Sequence, residues 1–129
     1  MRILVIEDSD SIRHMIETLV SAGGHEVDAV STGAKGIDSA HAHTPDAILL
    51  DLHLVGPYDG LEVCARLRAT DDTRDVPIIV ISAMADDATK ERALEAGASA
   101  YYTKPFSPTA LLKELESIGA RDSTKIRIK

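Results

Sequence analysis

The sequence predicts an α/β fold: a doubly wound, five-stranded parallel sheet with helices on both faces. Three observations predict it. Short unbroken apolar runs recur along the chain, at Ile3-Leu4-Val5-Ile6, Ala47-Ile48-Leu49-Leu50 and Ile78-Ile79-Val80-Ile81. Continuous rather than alternating apolarity marks strands covered on both faces, as in parallel sheets. Segments of helical length lie between the runs, so strand and helix alternate five times, and right-handed crossovers then place helices on both faces. Finally, each run ends in a reactive side chain: Glu7-Asp8, Asp51, Ser82 and, after Ala100-Tyr101-Tyr102-Thr103, Lys104-Pro105. Ligands bind open α/β sheets outside the carboxyl ends of the strands. With strand order 2-1-3-4-5 the switch point falls between the first and third strands, where Glu7-Asp8 and Asp51 stand.

The elements follow in order. Ile12, Met15, Ile16 and Leu19 repeat at i, i+3, i+4 and i+7, one buried stripe of a first helix. Ser9 or Asp10 caps its start and Gly23-Gly24 ends it. A short strand at about Glu26 to Ala29 follows, then a less regular helix from Thr32 to about His43, stopped by Thr44-Pro45. Past Asp51, the loop Val55-Gly56-Pro57-Tyr58 leads to Asp59 as the cap of a helix running to about Ala69, with Leu61, Cys64 and either Leu67 or the stem of Arg68 turned inward. The fourth helix, about Asp87 to Ala96, has no strong apolar stripe and should pack weakly before Gly97 terminates it. Ser107-Pro108 is a cap followed by proline at the first helical position, and Leu111, Leu112, Leu115 and Ile118 define the last helix.

At 129 residues the chain makes one domain with one aliphatic core. No apolar run approaches the ~20 residues needed to span a bilayer, and only four apolar residues separate Arg2 from Glu7, too few for a secretory signal. The single cysteine, Cys64, has no internal disulfide partner and fits a reducing cytoplasm. Charge is uneven. Residues 120–129 hold Arg121, Lys125, Arg127 and Lys129 against Asp122, a local +3, so the other residues carry −10 of the total −7. An acidic body does not neutralise phosphates, which argues against direct nucleic-acid binding. We expect residues 1–119 to form the domain and 120–129 to be a basic tail or linker remnant.

Three carboxylates gathered at one sheet edge repel, and a cation or raised pKa values must relieve them. Hard oxygen donors with positions left for water and phosphate suit Mg²⁺. Glu7 and Asp8 would point to opposite faces of a regular strand, but the backbone bends at the strand end and both can reach one ion. An acidic cluster merely complementing a helix dipole would not account for Asp51 and Lys104 at the ends of two other strands.

Val5-Ile6-Glu7-Asp8-Ser9, Leu50-Asp51, Ile81-Ser82-Ala83 and Gly97-Ala98 through Lys104-Pro105-Phe106 closely resemble the receiver domain of two-component response regulators, over about residues 2 to 119. The resemblance implies a flavodoxin-like single domain of the chemotaxis-regulator kind. It implies that Asp51 accepts a phosphoryl group from the phosphohistidine of a histidine kinase or phosphotransfer protein. It further implies that Glu7, Asp8, Asp51 and the backbone carbonyl of His53 hold Mg²⁺, that Ser82 and Lys104 engage the phosphoryl oxygens, and that Lys104-Pro105 is cis. Ser82 and Tyr101 would be the switch pair, acting on a surface of the fourth helix, fifth strand and fifth helix that controls an unknown partner or output domain. No membrane partner is implied.

Two departures from the family pattern stand out. The stretch His53-Leu54-Val55-Gly56-Pro57-Tyr58 is one residue longer than usual, with Pro57 displaced. His53 and Met84 also occupy the positions two after the phosphoacceptor and two after the hydroxyl, where the family often has polar groups. Asp8-Ser9-Asp10-Ser11 resembles the opening of haloacid-dehalogenase-type phosphatases, the alternative enzyme reading, and a phosphorylation-independent interaction module is the alternative non-catalytic one. His41 and His43, two apart, cannot share a metal as an i, i+4 pair would. They, His14, His25 and Tyr58 are expected at the surface. No Gly-x-Gly-x-x-Gly supports a dinucleotide site.

Overall fold

The structure is a computed structural model that describes the backbone of residues 1–128 and the side chains of residues 1–119. The basic side chains of Arg121, Lys125, Arg127 and Lys129, expected as a tail, lie outside those described. Five strands and five helices alternate: β1 (Arg2–Ile6), α1 (Asp10–Ala22), β2 (Glu26–Val30), α2 (Gly33–Ala42), β3 (Ala47–Asp51), α3 (Gly60–Ala69), β4 (Ile78–Ser82), α4 (Asp87–Ala96), β5 (Ala100–Thr103) and α5 (Pro108–Ile128). The sheet is parallel throughout, in order β2-β1-β3-β4-β5. Ile6 lies opposite Leu50, Asp51 opposite Ile81, and Ser82 opposite Thr103, so the carboxyl ends of four strands finish nearly level.

The core has two layers, because successive side chains alternate across a strand. Leu4, Ile6, Ile48, Leu50, Ile78 and Val80 pack toward Val63, Cys64, Leu67 and Ala93 on one face. Ile3, Val5, Leu49, Ile79 and Ile81 pack toward Ile16, Val20, Leu111 and Leu115 on the other. β1, β3 and β4 are buried on both faces, which explains their unbroken apolarity.

The capping signals at Ser9, Asp59 and Ser107 hold, and Thr32 and Asp86 are caps that the pattern does not single out. Ser9, Thr32, Asp59, Asp86 and Ser107 accept hydrogen bonds from the amides of Ile12, Lys35, Glu62, Thr89 and Ala110. Gly97 ends α4 with φ +115°, a left-handed turn that glycine adopts without strain. α4 packs as thinly as its sequence indicates: Thr89 and Ala93 are its buried residues, and Leu94 is half-exposed.

Four local expectations need correction. Met15 is not buried: α1 turns Ile16 and Val20 into the core, and Met15 sits beside that stripe, 51% exposed. With Ile12, Leu19, Pro105, Phe106 and Pro108 it lines a groove of about 500 Å³ that opens beside Lys104. On α3, Val63 is fully buried beside Cys64 and Leu67 while Leu61 is only partly so. Tyr58 is not a free surface ring, since it packs on the core and the Arg66 guanidinium lies 4.3 Å from its centroid. His25 is half-buried, its Nδ1 3.3 Å from the N-terminal ammonium, while His14, His41 and His43 are exposed. Among the described residues no helix is long and apolar enough to cross a membrane.

Candidate functional site at the carboxyl ends of the strands

Glu7 and Asp8 follow β1 immediately, where the Glu7 amide still donates to Val30 O at 3.1 Å but the ladder ends. Release from the pleat lets both carboxylates turn inward. Oxygens of Glu7, Asp8 and Asp51 all lie within 4.8 Å of one another. Glu7 and Asp51 are almost wholly buried, at 2% and 5% exposure, while Asp8 is partly open.

Each buried carboxylate is held in place. Ser9 N donates to Glu7 Oε2 at 3.1 Å, and His53 N donates to Asp51 Oδ1 at 3.1 Å. The Lys104 ammonium donates to Glu7 Oε1 at 2.8 Å and stands 3.6 Å from Asp51 Oδ2. Lys104 is itself fixed through its backbone, whose amide donates to Ser82 O at 2.8 Å, and the Lys104-Pro105 bond is cis. Burial alone would lower the lysine pKa. The Glu7 hydrogen bond and the Asp51 and Glu7 charges outweigh it and hold the ammonium above the ordinary lysine value. Three carboxylates against one ammonium leave a formal −2, a deficit that a hard divalent cation with oxygen ligands balances.

Ser82 is fully buried at the end of β4 and accepts a hydrogen bond from Met84 N at 3.1 Å. Tyr101 packs on the α3/α4 face, and its hydroxyl donates to Met84 O at 2.6 Å. Tyr102 faces the other layer, with its hydroxyl on Glu114 of α5, as strand alternation requires. His53 and Met84 are both exposed. Among the expected site residues, then, Glu7, Asp8, Asp51 and Lys104 converge, while Ser82 and Tyr101 meet at the loop that enters α4.

The phosphatase-like Asp8-x-Asp10 pattern does not make a site. Asp10 lies in the first turn of α1, exposed and paired with Arg13. Arg13 is a residue that pattern reading missed: its guanidinium also donates to Glu7 O at 3.1 Å and steadies the Glu7-Asp8 peptide. Its only sequence signal was an i, i+3 charge pair with Asp10, which is indistinguishable from an ordinary surface pair.

Known proteins are similar to this chain in sequence and fold. The family model of the response regulator receiver domain matches residues 3–116. The response regulator MprA of Mycobacterium avium is 36% identical over 118 residues, covering 92% of this chain and 50% of that protein. The transcriptional regulatory protein CseB of Streptomyces coelicolor is 38% identical over 116 residues, covering 90% and 48%. The chain thus spans about half the length of these relatives. Among solved structures, the receiver domain of sensor histidine kinase PA1611 from Pseudomonas aeruginosa superposes with a TM-score of 0.84 at 34% identity, covering 92% of this chain and 97% of that one. That structure holds a magnesium ion in its active-site cleft. The Vibrio cholerae chemotaxis protein CheY4 also gives 0.84, at 26% identity and 91% and 97% coverage. With its fold, its acidic cleft and its matched length in agreement, the chain belongs to the receiver domains of two-component response regulators.

Proposed function

We propose that Asp51 is the phosphoacceptor, taking a phosphoryl group from the phosphohistidine of a histidine kinase or phosphotransfer protein. A carboxylate oxygen forms the new P–O bond while the P–N bond to the donor imidazole breaks. The observation that carries this reading is a buried Asp51 facing both Lys104 and the Glu7-Asp8 pair. Transfer through a loose transition state needs positioning and charge neutralisation above all. Lys104 stands ready to pair with the incoming oxygens, and His53 N–H fixes the carboxylate's orientation. Glu7, Asp8, Asp51 and the His53 carbonyl are the groups that would hold Mg²⁺, which supplies further neutralisation of phosphoryl charge when bound. Small phosphodonors would serve the same site, and water approaching past His53 and Met84 would hydrolyse the aspartyl phosphate, releasing inorganic phosphate and restoring the Asp51 carboxylate. We take residues 1–119 as the receiver unit, acting in the cytoplasm on a partner or output domain.

Incubation with acetyl phosphate and Mg²⁺ should add one phosphoryl mass to the chain, read by intact mass spectrometry. Chelator, or Asp51→Asn, should abolish the gain. A chain that kept its mass would be a binding module only, and an Asn variant still labelled elsewhere would displace Asp51 from the role.

We further read Ser82 and Tyr101 as the switch. A phosphoryl oxygen on Asp51 would accept from the Ser82 hydroxyl and draw it away from Met84 N, which now donates to it, and Tyr101 holds the same loop by its hydroxyl. Phosphorylation thereby biases a two-state surface of α4, β5 and α5. Ser82→Ala and Tyr101→Ala should still take phosphate at Asp51, yet lose the ~5–150-fold affinity change typical of coupled sites. Tyr102→Ala should instead destabilise the fold. A Ser82→Ala protein with undiminished coupling to its partner would refute this role.

A further inference from the structure

We propose that Arg68, at the end of α3, is the pin about which α4 pivots when the domain is phosphorylated. The inference rests on the switch reading above and deepens it. α4 is held very differently at its two ends. At its entrance, residues 83 to 88 are all exposed. The hydrogen bonds that tie this loop to the strands are Met84 N to Ser82 Oγ and Tyr101 hydroxyl to Met84 O, both made by switch residues. In the first turn Thr89 is buried and the Lys90 ammonium lies 6.0 Å from the Tyr101 ring centroid. The two hydrogen bonds would loosen if the Ser82 hydroxyl turned to donate to a phosphoryl oxygen.

The exit of α4 is clamped by groups far from Asp51. Arg68 Nε donates to Gly97 O at 2.9 Å, and its Nη2 reaches Ser99 Oγ at 3.3 Å. Its Nη1 donates to Arg74 O at 2.9 Å and Val76 O at 2.6 Å. One rigid fork therefore ties the α4–β5 turn to the loop that enters β4, a geometry a lysine cannot reproduce. The side-chain stem lies directly over Gly97, where a Cβ would come within 2.9 Å of Arg68 Nε. Cys64 Sγ donates to Ala96 O at 3.4 Å from the same helix as Arg68. Ser99 completes the clamp: its amide donates to Ile78 O at 2.7 Å, and its hydroxyl accepts from Ile78 N at 3.1 Å.

A helix with few buried side chains, loaded at one end and fastened at the other, rotates about the fastened end. Displacement should be greatest at Asp86–Thr89 and fade toward Gly97. Arg68 acts through α4 and touches no reacting atom, so it is a positioning residue.

The test follows backbone amides by NMR with beryllofluoride and Mg²⁺ as the phosphoryl mimic. In the unaltered chain, shift changes should fall steadily from Asp86 to Ser99. In Arg68→Met they should extend undiminished through Gly97 and Ser99, with about tenfold faster amide exchange at Gly97 and Ala98 before the mimic is added. Arg68→Lys should fall between the two. Ser99→Ala, a milder change, gives the same comparison if Arg68→Met does not fold. Uniform changes along α4 in the unaltered chain, or an unaltered profile in the variants, would overturn the pivot and leave the switch intact. Changes confined to the Asp51 pocket would overturn the switch reading and the pivot with it.

Discussion

Lys104→Met should destabilise the magnesium-free domain by about 3 kcal/mol, the range seen when one partner of a buried pair is removed. Two opposing effects decide the sign. Removing an ammonium recovers its desolvation cost, the largest single effect on Lys104, but the Glu7 and Asp51 interactions together outweigh that cost. Losing it leaves the Glu7 carboxylate, 3% exposed at the side chain, beside Asp51 and Asp8 with no cation on it among the described residues. The second effect wins. Methionine keeps the unbranched stem, so packing is nearly conserved. The lysine pKa is raised on folding, so its contribution is complete below the unfolded value of about 10.4 and is lost only as pH rises through the folded one. The ammonium's share of the stability gap between Lys104→Met and the parent should therefore persist up to about pH 9 and fade only at more alkaline pH. Mg²⁺ stabilises each folded protein that binds it, by about 2.7 kcal/mol at a hundredfold excess over Kd. It should narrow the gap to the extent that the variant's cluster, one positive charge poorer, binds the ion more tightly than the parent's. Denaturant midpoints with and without Mg²⁺ measure both. Equal midpoints for variant and parent without the ion would mean that the ammonium contributes nothing net to this cluster.

Gly60→Ala is the second large effect expected, and its cause is space alone. Gly60 opens α3 directly beneath the loop that follows Asp51, and its amide donates to Leu52 O at 3.0 Å. A Cβ at this position would collide with the Leu52 backbone and lie 2.5 Å from the Asp51 carbonyl oxygen. Backbone cannot rotate away as a side-chain tip can. The chain must separate α3 from the end of β3, at a cost of about 3 kcal/mol, the upper range for overpacking. Because Asp51 and Leu52 are the atoms displaced, labelling by acetyl phosphate should fall together with stability. Gly56→Ala is the informative contrast. That residue has φ +106° with nothing within 4 Å of a built Cβ, so only backbone strain opposes the change, about 1–2 kcal/mol. Its effect should appear in the denaturant midpoint and leave the initial labelling rate almost intact. A Gly60→Ala protein as stable as Gly56→Ala would show that the β3–α3 junction yields more easily than its contacts indicate.

Much of this protein is written in local pattern. Ile3–Ile6, Ala47–Leu50 and Ile78–Ile81 are apolar at every position because both sheet faces are covered, and that alone distinguishes them from half-exposed strands. Ser9, Thr32, Asp59 and Ser107 mark helix starts because each supplies an acceptor to an amide three residues on. The acidic cleft was legible for a different reason: parallel strands aligned in register must present their last residues at one edge, so Asp51 and Lys104 meet whatever lies between them.

Tertiary structure decided what depends on reach across that distance. Met15 and Ile16 satisfy the same periodicity, and only the placement of α1 against the sheet sends one to the core and the other to the groove beside Phe106. Arg68 reads in sequence only as a stem that, if Leu67 does not, turns inward near a helix end. Its partners stand up to 31 residues away and are mostly backbone carbonyls, which carry no side-chain signature. Gly60 carries φ in the ordinary range, and its need for hydrogen in place of a side chain arises from the Leu52 backbone folded against it. Periodicity and strand-end chemistry describe what each segment must do by itself; close approach between segments exists only once the chain has packed.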